Sequence, residues 1–413
     1  ETGMVVHPNT PKVRETRKAV VELLLANHPQ DCLFCQKNQD CELQQTAADL
    51  GVREVPYTGE KRSAQKDESN PSLVRDPNKC ILCGRCIRAC HERQGLDVYG
   101  YINRGFKTIV GPAFNLGLDQ VACTYCGQCA AVCPTAAICE RDDTEKVFAA
   151  LADPKKYTIV QTAPATRVAL GEALGLPAGE VVTGKMVAAL RRLGFDKVFD
   201  TDFTADLTIM EEGYEFLDRV TNGGVLPMIT SCSPGWINFI EIKYPDLLPH
   251  LSTAKSPQGM FGALAKTYWP ETQGIHVEDI YSVSIMPCTA KKAECVRPQL
   301  QSNPGIPDVD TVLTTRELAR MIKNAGIDFK NLPEEDYDSP LGTSTGAGAI
   351  FGVTGGVMEA ALRPVYAVLT DGKHIPRLIF HPARRIYGTT AASLSFPTRP
   401  TPAHSTTSLP PPP

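Results

Sequence analysis

Cys80-Ile81-Leu82-Cys83-Gly84-Arg85-Cys86-Ile87-Arg88-Ala89-Cys90 and Cys123-Thr124-Tyr125-Cys126-Gly127-Gln128-Cys129-Ala130-Ala131-Val132-Cys133 share one spacing, C-x2-C-x2-C-x3-C. This is the bacterial ferredoxin run, in which three cysteines wrap one four-iron cluster and the fourth ligates the other. Cys90 is therefore expected to complete the second site and Cys133 the first, tying both runs into one module. C-x2-C pairs also hold zinc, but two full repeats, each with its fourth cysteine, favour iron and sulfide. Pro134 follows the second run as the pattern has it, whereas His91 follows the first. That departure removes a turn constraint and no ligand.

Upstream lies a third group, His28, Cys32, Cys35 and Cys41, spaced H-x3-C-x2-C-x5-C. One histidine and three thiolates would also satisfy structural zinc. Just ahead of a ferredoxin repeat the set reads as a further four-iron cluster, with a neutral imidazole in place of one thiolate to change its potential. Eleven of the fifteen cysteines thus fall between positions 32 and 133. They are expected to hold three four-iron clusters that move single electrons.

A net charge of -4 and a pI near 6.1, with no basic stripe, argue against nucleic acid as a partner. No apolar run approaches the roughly 18 residues that span a membrane, and no signal peptide is expected. An odd number of cysteines, most of them claimed as ligands, fits a reducing compartment. The cytoplasm is expected, or an anaerobic organelle if the source is eukaryotic. At 413 residues the chain should form two or more domains.

The expected fold class is multidomain α+β and α/β: small iron-sulfur domains followed by an incomplete α/β catalytic domain. Residues 1–12 read as the remnant of an upstream domain, since Val5 to Lys12 shows no start signal for an element of its own. Residues 13–52 form the His/Cys-ligated domain, with an amphipathic helix from Thr16 to Leu25. Residues 53–70 are a polar linker, and 71–150 the two-cluster ferredoxin domain. From 155 to 385 apolar strands (Tyr157 to Val160, Val198 to Asp200, Tyr281 to Met286) alternate with helical patterns (Gly184 to Leu193, Glu211 to Val220, Thr315 to Asn324), as in an α/β domain. The stretch 386–413 is expected to be a disordered tail, because residues 389–413 hold seven prolines and ten serines or threonines.

Two loops of the α/β region carry chemistry: Thr230-Ser231-Cys232-Ser233-Pro234-Gly235-Trp236 and Met286-Pro287-Cys288-Thr289-Ala290-Lys291-Lys292-Ala293-Glu294. Each is expected to place a cysteine directly after an apolar strand. Taken singly, a buried cysteine is a small hydrophobe. At the end of a three-cluster wire, two thiols become a terminus.

These motifs, in this order and with Gly346-Ala347-Gly348-Ala349-Ile350-Phe351-Gly352 through Met358 to Arg363, closely resemble iron-only (FeFe) hydrogenases over about residues 1 to 385. The resemblance implies a four-iron cluster bridged by a cysteine to a di-iron unit with carbonyl, cyanide and an amine-containing dithiolate, where protons and electrons form or split dihydrogen. It makes Cys288 a ligand of the four-iron subcluster, Lys291 the donor to a cyanide and Met286 a side chain against the di-iron unit. Ala163 and Pro164 match the small-residue pocket strand, and Gln258 lies on a matching segment. An anionic cyanide nitrogen suits a lysine held in a dry pocket by a charge-assisted hydrogen bond; neighbouring Lys292 is expected to be a solvated surface lysine. Glu212, Glu215, Ser252 and Cys232 match the proton relay, and the two glutamates share one helix face.

The sequence departs from the family twice. The family has two adjacent cysteines in the first loop, where this chain has Cys232-Ser233, and serine is a poor replacement for thiolate at iron. Either Cys232 takes over ligation and the relay runs through Ser233, or the cluster loses a thiolate; Cys232 is expected at or beside the cluster, in one role or the other. The late two-cysteine motif that supplies two further ligands is absent, and no cysteine follows Cys295. This polypeptide is therefore expected to keep the wire while the complete hydrogen-activating cofactor belongs to the full-length parent. The implied partners are ferredoxin or an NAD(P)H-oxidising flavoprotein subunit, with dihydrogen and protons as substrates. The Gly346–356 stretch lacks the setting of a dinucleotide fingerprint; its glycines should permit close packing. Two other classes fit part of the pattern: a redox subunit like the large electron-input subunit of respiratory complex I, and a hydrogenase-like sensor or cluster-assembly protein.

Overall fold

A computed structural model describes residues 3–351, 355–370 and 372, together with the backbone of 381–382 and 390–391. The expected tail lies almost wholly outside the described residues.

The first helix, Pro11–Asn27, begins where the Thr10 side chain accepts from the Val13 amide and Pro11 fills the first turn. A threonine N-cap followed by proline is a start signal, so the expectation of none before Lys12 fails, and Pro11 and Lys12 belong to this helix. His28 caps its C-terminal end in extended conformation. The chain then turns through Cys32–Phe34 into the helix Glu42–Asp49. This small unit docks on the ferredoxin module through Lys79–Asp31 at 3.0 Å, Arg85–Glu42 at 2.6 Å and the Glu42 amide donating to Pro134 O at 3.0 Å.

In the ferredoxin module Leu73–Arg75 pairs antiparallel with Ile138–Glu140, and Gly100–Ile102 with Ile109–Gly111. Each cysteine run passes a left-handed glycine, Gly84 at φ 69° or Gly127 at φ 75°, before a one-turn helix. Glycine adopts this conformation without a Cβ clash, which lets the loop close on itself. The expected linker is anchored at its end: Asn70 is buried, and Asp67 pairs with Arg75 through both backbone and side chain.

The catalytic region is built on a four-stranded parallel sheet ordered 197–200, 157–162, 280–286, 311–314. The strands Tyr157–Thr162, Lys197–Asp200 and Ile280–Met286 contain the three expected ones; Thr311–Thr314 is a fourth, not expected from the sequence. Helices cover both faces, as buried parallel sheets require. On one face Val160, Val198, Val283, Ile285 and Leu313 pack against Leu190 of Thr183–Leu193 and Ile322 of Thr315–Asn324. On the other, Ile159, Phe199 and Ile280 pack against Phe261, Ala265 and Trp269. The expected helix at Glu211 to Val220 is the second half of a longer one, Thr201–Asn222, capped by Asp200. The helix Thr144–Ala152, not expected from the sequence, leaves the ferredoxin module and sends Val147 into the sheet's core.

From strand 157–162 the chain moves first to one neighbour and later to the other. In such sheets ligands bind at the carboxyl ends of the strands where the winding reverses. Here that point lies between Thr162 and Met286. Gly348 shows the close packing expected of the glycine-rich stretch, since a Cβ there would lie 2.8 Å from the Asp202 carbonyl. The Cys288 loop follows a sheet strand, but Cys232 does not: its segment makes only an isolated bridge, Ile229 with Leu251.

Phe199 is fully buried, with ring centroids 5.7 Å from Phe261 and 5.1 Å from Trp269. F199A should lower unfolding free energy by about 3–5 kcal/mol. In the same urea titration V181A, at an exposed side chain, should stay within about 0.5 kcal/mol of wild type.

Candidate metal sites and active site

The central cysteines gather around two cavities. One is lined by Cys80, Cys83, Cys86 and Cys133, the other by Cys90, Cys123, Cys126 and Cys129. Each run lends its fourth cysteine to the other, in the arrangement expected from the spacing. Burial pushes the Cys86 thiol up to about 12, with Cys80, Cys133 and Cys83 adding charge repulsion. Burial, then Cys126 and Cys90, push Cys123 up to about 11. Thiols that oppose each other's ionisation are suited to a cationic cluster, because bound iron supplies the compensating charge. Backbone amides point at the sulfurs: Leu82 N to Cys80 Sγ, Tyr125 N to Cys123 Sγ and Val98 N to Cys90 Sγ, each at 3.4 Å. Asn70 Nδ2 lies 3.7 Å from Cys123 Sγ and Tyr99 OH 3.6 Å from Cys129 Sγ. Neither Asn70 nor Tyr99 is identifiable from the cysteine spacing.

At the third group the His28 Nδ1–H donates to Pro29 O at 2.7 Å. This leaves Nε2 as the acceptor, and Nε2 is buried without a partner. Burial also holds the imidazole below its ordinary value, hence neutral. A ring nitrogen fixed by a backbone carbonyl with its other nitrogen free is the ligating form of histidine. Cys32 is exposed, while Cys35 and Cys41 are half-buried. Lys79, next to Cys80, pairs with Asp31, next to Cys32, at 3.0 Å, and the amide of Glu42, next to Cys41, donates to the carbonyl of Pro134, next to Cys133, at 3.0 Å. This group therefore adjoins the first cavity.

The second cavity adjoins the catalytic region. Thr289 Oγ1 donates to Tyr125 O at 2.8 Å, and Ser72 Oγ donates to Thr289 O at 2.7 Å. Thr289 follows Cys288, so the second run and the catalytic loop are in direct contact. At the sheet's carboxyl edge Ala163 N donates to Ile285 O at 3.0 Å, and Ala163 and Met286 share one small buried cluster. Pro164 is half-buried beside them.

Lys291 Nζ donates to Cys232 O and to Ser256 Oγ, both at 3.0 Å, and pairs with Glu294 at 2.5 Å. Ser256 also hydrogen-bonds Glu294. The structure thus brings Lys291 and the Cys232 carbonyl together with Ser256 and Glu294, to which the sequence assigned no role, and the Lys291 amide donates to Cys288 O at 3.3 Å. Gln258 is buried, donates to Lys291 O at 3.4 Å and leaves its Oε1 unpartnered. Cys232 is half-buried and Ser233 is exposed. Burial raises the Cys232 thiol, against the pull of Lys291. Lys292 contradicts its expected surface position: it is buried, paired with Asp143 at 2.7 Å and Glu317 at 2.9 Å.

The four expected relay residues also converge. Ser252 Oγ donates to Glu215 Oε2 at 2.7 Å, and Arg219 pairs with Glu215 Oε1 at 2.6 Å. Burial raises Glu215, but the Ser252 and Arg219 bonds outweigh it and hold the carboxyl below its usual range. Glu212 behaves oppositely. Burial pushes it up to about 7 against weak support from Ser231 and Ser252, and its charge in turn raises Cys232. A carboxyl titrating near neutral pH can take up and release a proton at little cost, with ionised Glu215 toward solvent.

The sequence matches the family described as iron only hydrogenase large subunit, C-terminal domain, over residues 156–406. It also matches the NADH-ubiquinone oxidoreductase-G iron-sulfur binding region over 17–56 and the 4Fe-4S dicluster domain over 79–137. The chain belongs to the iron-only hydrogenase large-subunit family. It is 53% identical over 398 residues to the NADP-reducing hydrogenase subunit HndD of Solidesulfovibrio fructosivorans, spanning 95% of this chain and 68% of that one. It is 44% identical over 364 residues to iron hydrogenase 1 of Clostridium pasteurianum, spanning 88% of this chain and 63% of the relative. The chain thus spans about two thirds of the length of these curated relatives. Protein NAR1 of Arabidopsis thaliana is more distant, 29% identical over 286 residues, 65% of this chain and 57% of that one. Among solved structures, a variant of the apo [FeFe]-hydrogenase HydA1 from Chlamydomonas reinhardtii superposes with a TM-score of 0.55 at 47% identity, over 60% of this chain and 64% of that chain.

Glu212 yields a pH test. Below about pH 4.5 it is protonated in the folded and unfolded chain alike; from there to about 7 the unfolded chain ionises first, so stability falls as pH rises. The full cost, at most about 3 kcal/mol, is present above that window. E212Q should therefore match wild type near pH 4 and exceed it near pH 8 in urea midpoint.

Proposed function

We propose that the chain is an electron wire of three four-iron clusters leading to a hydrogen-activating pocket. Electrons would pass from the His28, Cys32, Cys35 and Cys41 site to the cavity holding Cys133, then to the cavity holding Cys90, and on to Cys288. The observation that carries this order is contact: the Lys79–Asp31 pair and the Glu42 amide on Pro134 O join the first two sites, and Thr289 joins the third to the catalytic loop. The orphaned His28 Nε2 and the two four-cysteine cavities fit such clusters.

The pocket residues fit a hydrogen-activating cofactor in part. Lys291 offers a held ammonium, Gln258 an unpartnered buried oxygen, and Met286 with Ala163 an apolar wall. Two thiols, Cys232 and Cys288, are fewer than a four-iron cluster needs, and no cysteine follows Cys295. The pocket therefore supplies part of a ligand set, and no chemical step is assigned to the group. Protons would move between solvent and the pocket by Glu215, Ser252 and Glu212 to Cys232. The overall reaction of the whole protein is reversible reduction of two protons by two electrons to dihydrogen.

The relative named as an NADP-reducing hydrogenase subunit supports an NAD(P)H-linked flavoprotein as the electron partner, with ferredoxin as the other candidate. No helix among the described residues is long and apolar enough to cross a membrane. We place the chain in a reducing compartment, the cytoplasm, on its cysteine usage. A second reading, a hydrogenase-like cluster-assembly protein, draws on the short thiol set. Ser252 bonded to Glu215, one helical turn from the buried and unpartnered Glu212 carboxyl, favours proton throughput instead.

Anaerobic reconstitution should give about twelve irons and as many sulfides per chain, falling by about four in C133A; zinc in their place would remove the wire. The reconstituted chain supplied with the di-iron cofactor should evolve no dihydrogen from reduced viologen, measured by gas chromatography. Turnover by this polypeptide would show that its ligand set is complete.

A further inference from the structure

Lys292 is a buried cation outside the proton relay and is not among the three donors and acceptors that hold Lys291. Its ammonium contacts two carboxylates from separate parts of the chain: Asp143 Oδ2 at 2.7 Å, just beyond the last strand of the ferredoxin module, and Glu317 Oε1 at 2.9 Å, in the first turn of the helix after strand 311–314. The carboxylates are themselves held. Glu317 accepts from the Asp143 amide at 2.8 Å and the Thr314 amide at 2.6 Å, and Asp143 pairs with Lys146 at 2.7 Å. Arg141 lies 4.0 Å from Asp143. Lys292 O accepts from Cys295 Sγ at 3.1 Å.

The helix that carries Lys292, Ala290–Glu294, is short and follows Thr289. Residues three apart on a helix share a face. Thr289 and Lys292 lie on one face, and both are bonded to the ferredoxin module or its exit: Thr289 to Tyr125 and Ser72, Lys292 to Asp143. Cys288 and Lys291 lie three apart in their turn, and Lys291 faces Cys232, Ser256 and Glu294. A one-turn helix has little stability of its own, so its orientation is set by what grips it.

We propose that Lys292 is a positioning residue: with Thr289 it latches this helix to the ferredoxin module, so that the loop at the second cysteine cavity and the Cys288–Lys291 face are held as one unit. The latch explains why a lysine is kept in a buried position, where ammonium needs charged partners. It rests on the reading of Cys288 and Lys291 as site residues only for its purpose, since the contacts themselves are tested without any cofactor turnover.

The test is hydrogen-deuterium exchange with mass spectrometry on the full chain reconstituted with iron and sulfide, comparing wild type with K292M and with the charge-neutral set K292M/D143N/E317Q. The second variant leaves no unpaired buried carboxylate, so it remains folded if the single variant does not. Exchange in 288–294 and in 124–127 should rise by at least about tenfold, while 157–162 and 280–285 stay protected. The ratio of Cys288 to Cys232 alkylation by iodoacetamide should rise with it. An unchanged 124–127 segment, an unchanged alkylation ratio, or sheet strands that loosen as much as the loops would each overturn the latch. Loss of clusters with intact exchange differences would instead count against the wire.

Discussion

Neither cysteine run of the central module closes its own cavity, because its fourth cysteine lies across the module against the other run. Cys133 stands with Cys80, Cys83 and Cys86, and Cys90 with Cys123, Cys126 and Cys129. This exchange makes the two halves a single object with two ends. One end receives the His28 unit through Lys79, paired with Asp31, and Pro134. The other presents Tyr125 and Gly127 to Thr289, so tightly that a Cβ on Gly127 would lie 2.6 Å from the Thr289 hydroxyl. An electron path is a matter of short gaps, and here covalent spacing and packing set them together.

Downstream, charge in a low-dielectric setting does the organising. Lys291 and Lys292 are adjacent in sequence and both buried, yet they point into different networks because a helix turns about 100° per residue. Lys291 meets Glu294, Ser256 and the Cys232 carbonyl; Lys292 meets Asp143 and Glu317. Each cation has its counter-ion, without which burial would be prohibitive. The two relay glutamates show the same physics in reverse. One turn apart on a helix, Glu215 is ionised by Arg219 and Ser252, whereas Glu212 is left to burial.

Much of this is legible from residue spacing. The ferredoxin runs can be read because ligation constrains positions within a few residues, and the crossing of Cys90 and Cys133 is inherent in that spacing. Three parallel strands and the helix Thr315–Asn324 are visible from periodicity, the latter starting where expected because Thr314 and Glu317 form a capping box. The helix start at Thr10-Pro11 differs from the expectation although its signal is local. Strand 311–314 and the anchored Asp67 and Asn70 depend on distant partners.

Lys292 marks the boundary between the two kinds of knowledge. In sequence it is one of two adjacent lysines, and nothing local distinguishes the buried latch from a solvated side chain. Its partners lie 149 and 25 residues away. The cysteine runs, the family and the order of modules can be read from the linear chain, since they rest on covalent spacing. Which charges are buried together, and which face of the Cys288 helix meets the ferredoxin module, emerge only on folding, because they depend on segments that adjoin in space and nowhere in the chain.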